Sequence, residues 1–290
     1  MMIIRAALAS TRPSERTPTL AQRRLVQAAV LDAPDALAAW EAWRRETAVP
    51  ELEADSQWPL PALYVNLRRL GVAEARLGRY AHVSRHNWYK NQMLLGAARP
   101  LLRALTAAGE APVLLGAAAL AMSIYPSLGG RPIETLIIGG VSLAHEHLLA
   151  MAATCGWQQA CQSAPDAALE LVDHLGRRCQ LRARLMGVEH DGLLRSHTLV
   201  VHLAGQSLRV LGAADQLIQV LVERAAWDGR SDLLWAVDAA HCLLRLGPDG
   251  RAAVEPRSRA LGRWDEARSG LALLAENFGL AALAADWTTK

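Results

Sequence analysis

Residues 113–138 read VLLGAAALAMSIYPSLGGRPIETLII, and this stretch decides the fold class. A short aliphatic run (PVLL, 112–115) predicts a strand. The small residues of 117–124 predict a helix, Gly129-Gly130 a tight turn, and PIETLII (132–138) a second strand. Working outward, 142–154 predicts another small-residue helix. LELV (169–172), CQLRARL (179–185), HTLVVHL (197–203) and SLRVL (207–211) predict further strands, with Asp173-His174-Leu175-Gly176 as a hairpin turn. Strand, helix, strand, helix and then several strands predicts an α+β fold. Its core is a small mixed sheet over residues 111–212, with helices on one face.

The flanks predict helices. In 1–110, Thr17-Pro18 supplies an N-cap and first-turn proline for a helix through Val30. Asp35 caps the next helix, and Pro61 starts a third that Gly71 ends. A long stretch over 84–108 should be kinked or broken by Pro100 and closed by Gly109. In 213–290, Asp215 begins one helix, Ser231 caps a second, and a third spans Arg257 to Asn277. Nine tryptophans stand against one phenylalanine, so most indoles are expected as packing anchors.

With 52% hydrophobic and 20% charged residues, the chain is too apolar for disorder and large enough for a sizeable core. The net charge is +3 and the cations are almost all Arg, with lysine only at 90 and 290 and no dense basic run. Counterion-driven nucleic-acid binding is therefore not expected. No apolar stretch reaches the ~20 residues of a membrane span. Arg5 interrupts the apolar start and Arg12, Glu15 and Arg16 follow it, unlike a signal peptide. Cys155, Cys161, Cys179 and Cys242 show no zinc spacing and read as buried, reduced thiols of a cytoplasmic protein.

Several segments occur in the order of a known pattern: Leu115-Gly116-Ala117-Ala118-Ala119-Leu120, Tyr125, Gly129-Gly130-Arg131-Pro132, and Glu134-Thr135-Leu136-Ile137-Ile138. Outside them lie SQWPLPALYVNLRRLG (56–71), NWYKNQMLL (87–95) and LLWAVDAAHCLLR (233–245). Together these resemble a bacterial branch of the polymerase-β-like nucleotidyltransferase superfamily. That resemblance implies a nucleotidyltransferase-like core flanked by helices. It also implies an Asp-x-Asp pair on the second strand, a third acid on a neighbouring strand and a Lys-Gly pair before the first helix.

Nucleotidyl transfer uses two Mg²⁺ ions to hold the attacking and leaving oxygens, and Mg²⁺ demands hard oxygen ligands. Residues i and i+2 of a strand share a face, so Asp-x-Asp aims two carboxylates at the same ions. On the alignment that the resemblance implies, the pair falls on Thr135 and Ile137 and the third acid on Gln180. Gly116-Ala117 replaces Lys-Gly, with a one-residue shift leaving Gly116 as the loop glycine. All three acidic positions are uncharged. The resemblance therefore implies a pseudoenzyme with no Mg²⁺ requirement, of the kind that serves as an accessory factor in biosynthetic clusters. Its cleft is expected to keep Gly116, Tyr125, Arg131 and Arg182 for a peptide, protein or small ligand. Two other readings stay open. One is a divergent Mg²⁺-dependent transferase using Glu134 or Asp173, although alternation turns Glu134 to the opposite face. The other is a nucleotide-sensing regulator.

The remaining polar residues read more simply as packing or surface. His82 and His86 have two-ligand spacing but no third ligand, and His145 and His147 point to different sides of a helix. His241-Cys242 lies in an apolar helix.

Overall fold

The computed structural model describes residues 18–46, 57–161, 168–186, 191–203, 205–223 and 233–288. The expectations placed on Thr17, Ser231 and the first residues of the chain lie outside these.

Four helices lead: α1 (Leu20–Val30), α2 (Asp35–Glu46), α3 (Leu60–Arg69) and α4 (Gly78–Ala107). The N-cap of α1 is Thr19. The Thr19 hydroxyl accepts from the Gln22 amide while the Gln22 side chain accepts from the Thr19 amide. This reciprocal box needs Gln three residues after the cap, which only Thr19 has. Asp35 is the first residue of α2 rather than its cap. α4 runs unbroken for 30 residues through Pro100. Pro100 and Gly96, whose carbonyl the proline leaves without its helical partner, are both exposed, so that oxygen is not stranded in the core. Buried Leu94, Leu95, Leu101, Leu102 and Leu105 meanwhile hold both halves of the helix on the sheet.

The sheet has seven strands: β1 (Val113–Leu115), β2 (Thr135–Gly139), β3 (Trp157–Gln159), β4 (Leu169–Asp173), β5 (Arg178–Arg182), β6 (Thr198–Leu203) and β7 (Gln206–Leu211). Their order is β3-β4-β5-β2-β1-β7-β6. β1/β7 and β2/β5 pair parallel, and all other neighbours pair antiparallel. β3 was missed in the sequence because its three residues, Trp-Gln-Gln, are too few for alternation to register. Between strands lie α5 (Gly116–Ser123), α6 (His145–Thr154) and α7 (Asp191–Arg195). After β7 come α8 (Ala213–Glu223), α9 (Leu234–Arg245), α10 (Pro248–Ala260), α11 (Trp264–Phe278) and α12 (Ala281–Thr288). The single helix expected over 257–277 is thus two, divided at Gly262, whose φ of +64° no helix continues through.

Both faces of the central strands are covered, not one. Leu114, Leu136, Ile138, Cys179 and Leu181 pack beneath α4 and α6 in one core. Val113, Leu115 and Leu211 meet α1, α3, α8, α9 and α11 in the other. The two helical ends of the chain also join: α1 lies against α9 and α11, and the Gln27 side chain donates to the Phe278 carbonyl at 2.9 Å. Trp40, Trp43, Trp157, Trp235, Trp264 and Trp287 are buried anchors, whereas Trp88 is exposed.

The loop entering β2 is fastened to α4 by one side chain. Buried Asn91 donates to the carbonyls of Leu128 (2.7 Å) and Arg131 (2.8 Å) and accepts from the Ile133 amide (3.0 Å). The approach is so close that a Cβ on Gly129 would sit 2.7 Å from the Ser84 carbonyl. Asn91→Leu keeps the volume but strands two carbonyls and an amide. The expected loss is about 3 kcal/mol of stability, read as a lower urea midpoint at unchanged m-value.

Candidate functional site

β2 and β5 run side by side with Ile137 opposite Gln180 and Thr135 opposite Arg178. Paired residues share a face, so Thr135, Ile137 and Gln180 lie together on one surface of the sheet. On the next strand Glu170 pairs with Gln180 and joins the same surface.

A continuous chain of polar contacts crosses this surface. The Gln180 amide donates to Glu170 and its oxygen accepts from Arg182 Nε. Arg182 reaches Glu223 of α8 at 3.6 Å. Glu223 also accepts from Gln219 (2.9 Å), whose own oxygen takes the backbone N–H of Gly116 at 3.4 Å. Gly116 opens α5 in the left-handed region (φ +57°), and a Cβ there would lie 3.5 Å from Ile137 Cδ1. The N-terminus of α5 is therefore covered by an amide oxygen and by hydrocarbon. Sequence reasoning missed Glu170, Gln219 and Glu223. Glu170 had a signal in LELV, where it alternates with two leucines. The helical partners had none, since only the fold brings α8 to β5.

The donor set does not fit Mg²⁺. Thr135 and Gln180 offer neutral oxygens, Ile137 offers none, and Glu170 is held by Gln180 beside a guanidinium. Among the described residues no three His, Cys, Asp or Glu side chains group to hold a metal ion. The acids considered as substitutes stand elsewhere. Asp173 falls two residues after Leu171 and so shares the face of Leu171 and Cys179, away from Gln180. Its carboxylate closes the β4–β5 turn by accepting from the Leu175 and Arg177 amides (2.9 and 3.0 Å) and from Arg177 Nε (2.5 Å). Burial alone would raise its pKa, but these hydrogen bonds prevail and lower it. Glu134 is exposed ahead of β2.

Of the residues expected to bind a ligand, Gly116 and Arg182 belong to the polar chain, but Tyr125 and Arg131 are held elsewhere. Arg131 grips Asp238 of α9 with both sides of its guanidinium (Nε–Oδ1 and Nη2–Oδ2, each 2.9 Å). The Tyr125 hydroxyl donates to the same carboxylate at 2.5 Å. The Arg131 and Asp238 side chains are 13% and 4% exposed, so this is an interior ion pair, not a ligand contact. Burial and the Asp238 charge push the Tyr125 phenol well up. His241 packs against Tyr125 at a tilt of 47°, with ring centroids 4.4 Å apart. Its Nε2 is buried with no hydrogen-bond partner among the described residues, and burial lowers its pKa to about 4, against the pull of Asp238.

His82 and His86 are both exposed on α4. Cys179 and Cys242 are buried as expected, but Cys155 is half-buried and Cys161 exposed. No described helix is long and apolar enough to cross a membrane.

Two stability outcomes follow. Asp238→Asn leaves a buried guanidinium without its counter-charge and is expected to lose about 3–5 kcal/mol in chemical unfolding. His241 ionises near 6.5 when unfolded and near 4 when folded, so its contribution is complete above pH 6.5 and is lost as pH falls toward 4. Between pH 6.5 and pH 5 the protein should lose about 1.5 kcal/mol through this group, and His241→Phe should remove that component. Asp173, whose pKa is lowered below the ordinary carboxylate value, does not contribute in this window, and Asp215, whose pKa burial raises against the pull of Arg257, acts with opposite sign.

No family model and no curated protein matches the chain. Among solved structures, one similar protein is an antigenic nucleotidyltransferase-like protein from Paracoccidioides brasiliensis. It is 13% identical over 67% of this chain and 93% of its own, with a TM-score of 0.41.

Proposed function

We propose that this chain is a nucleotidyltransferase-like protein that has given up catalysis and works as a binding accessory factor for a peptide or protein. The observation carrying this reading is the shared face of β2 and β5. At the positions where the resembling family clusters its acids stand Thr135, Ile137 and Gln180 in register. Adjacent strands and i, i+2 spacing would serve a two-metal clamp well, and the uncharged side chains at these positions support the reading that the metal ligands are lost. Glu170, an acid on this face, is engaged by Gln180, and Arg182 holds positive charge beside Gln180, which disfavours a cation there. Asp173 offers no substitute because strand alternation turns it to the other face.

The decisive assay mixes the purified chain with labelled nucleoside triphosphates, Mg²⁺ or Mn²⁺, and host lysate as acceptor. No label transfer is expected, and calorimetry should show no Mg²⁺-dependent ATP uptake. Transfer that disappears on Glu170→Gln would overturn the reading. ATP uptake without transfer would replace it with a nucleotide-sensing role.

A further inference from the structure

Where β2 begins and the β4–β5 hairpin turns, a cleft of about 440 Å³ opens between Thr135, Arg178 and α4. Its charge is one-sided. Lys90, Arg177 and Arg178 line it against a single acid, Glu134. Arg177 is anchored by Asp173 and by the Met93 carbonyl (3.0 Å), which fixes its guanidinium at the wall. Among the described residues, neither Lys90 nor Arg178 has an ion-pair partner. Beyond the mouth the surface turns apolar. Leu175 at the hairpin tip is 62% exposed, and Met93 of α4, whose carbonyl accepts from Arg177, is 40% exposed.

We infer that this cleft and its rim form the docking site for an acidic peptide segment with apolar anchor residues, contributed by a protein partner. The inference rests on the non-catalytic reading and adds a place and a chemistry to it. Converging cations call for carboxylates, and guanidiniums on a rigid strand and hairpin favour their planar geometry. A small anion would use the cleft alone and leave Leu175 and Met93 in water. A peptide covers them, and burial of such side chains contributes apolar attraction that a free anion cannot. The site lies at one end of the sheet and uses none of the residues carrying the Gln180 chain.

The probe is a synthetic peptide of alternating aspartate and leucine, titrated against the full chain with the Trp58 indole resonance as reporter, since Trp58 lines the cleft. Saturable binding is expected, weakening with salt. Arg178→Glu and Lys90→Glu, both at exposed positions, should each weaken it about tenfold or more. Leu175→Ser should weaken it while leaving the salt dependence unchanged. A lysine–leucine analogue should not bind. The inference fails if the acidic peptide gives no saturable shift, or if Arg178→Glu leaves its affinity unchanged. It also fails if citrate, inorganic phosphate or a single-stranded oligonucleotide binds as tightly as the peptide. Label transfer by a chain that still takes the peptide through Arg178 would overturn the non-catalytic reading alone. Loss of peptide binding in an inert chain would overturn this inference alone.

Discussion

A guanidinium taken out of water must bring its counter-charge with it, and much of this architecture follows from where Arg131 finds one. Asp238 lies 107 residues further along the chain, on a helix of the opposite terminal region. Bringing it beneath the loop that feeds β2 requires α9 to dock on the same core as α1 and α3. The Tyr125 hydroxyl completes the carboxylate's shell and His241 packs on that ring. The pair thus fixes the start of β2 from one side while Asn91 fixes it from the other. The position of Thr135 and Ile137 against β5 depends on both. Such a pair is worth little as attraction over an apolar replacement, but breaking it is severe, so it acts mainly to specify one arrangement.

The α+β class and six of the strands were legible because each strand carries either a short aliphatic run, as Val113 to Leu115 does, or alternation of apolar and polar residues, as Leu169 to Val172 and Cys179 to Leu185 do. So was the shared face of Thr135, Ile137 and Gln180, since spacing fixes the first two and the family resemblance supplied the neighbouring strand. What could not be read was which groups a buried charge would choose. Arg131 beside two glycines looks the same in sequence whether it faces a ligand or Asp238. Asp173 looked available for a metal, yet a single residue of strand parity sends it to the far face. The unbroken α4 also escaped the sequence, because proline's local penalty is small beside the packing of five leucines.

A sheet face without an acid cluster is more than an absence. Clustered carboxylates repel one another and need cations to coexist. Here the positions are filled by groups that satisfy each other, from Glu170 through Gln180 and Arg182 to Glu223, Gln219 and the Gly116 amide. A polar surface completed internally has little left to offer a solute, and the unpaired charge of this region stands instead at the end of the sheet.

The continuity of α4 has a mechanical meaning. At 30 residues it is a strut about 45 Å long. Tyr80 and Ala81 are rooted in one core and Leu94 to Leu105 in the other. Between the two roots, within a single turn, sit Lys90, Asn91 and Met93. A load applied to the outer side of that turn meets no hinge in which to dissipate. It bears on the clasp that sets the entry of β2, so the helix joins the outer surface to the register of the sheet as one stiff body.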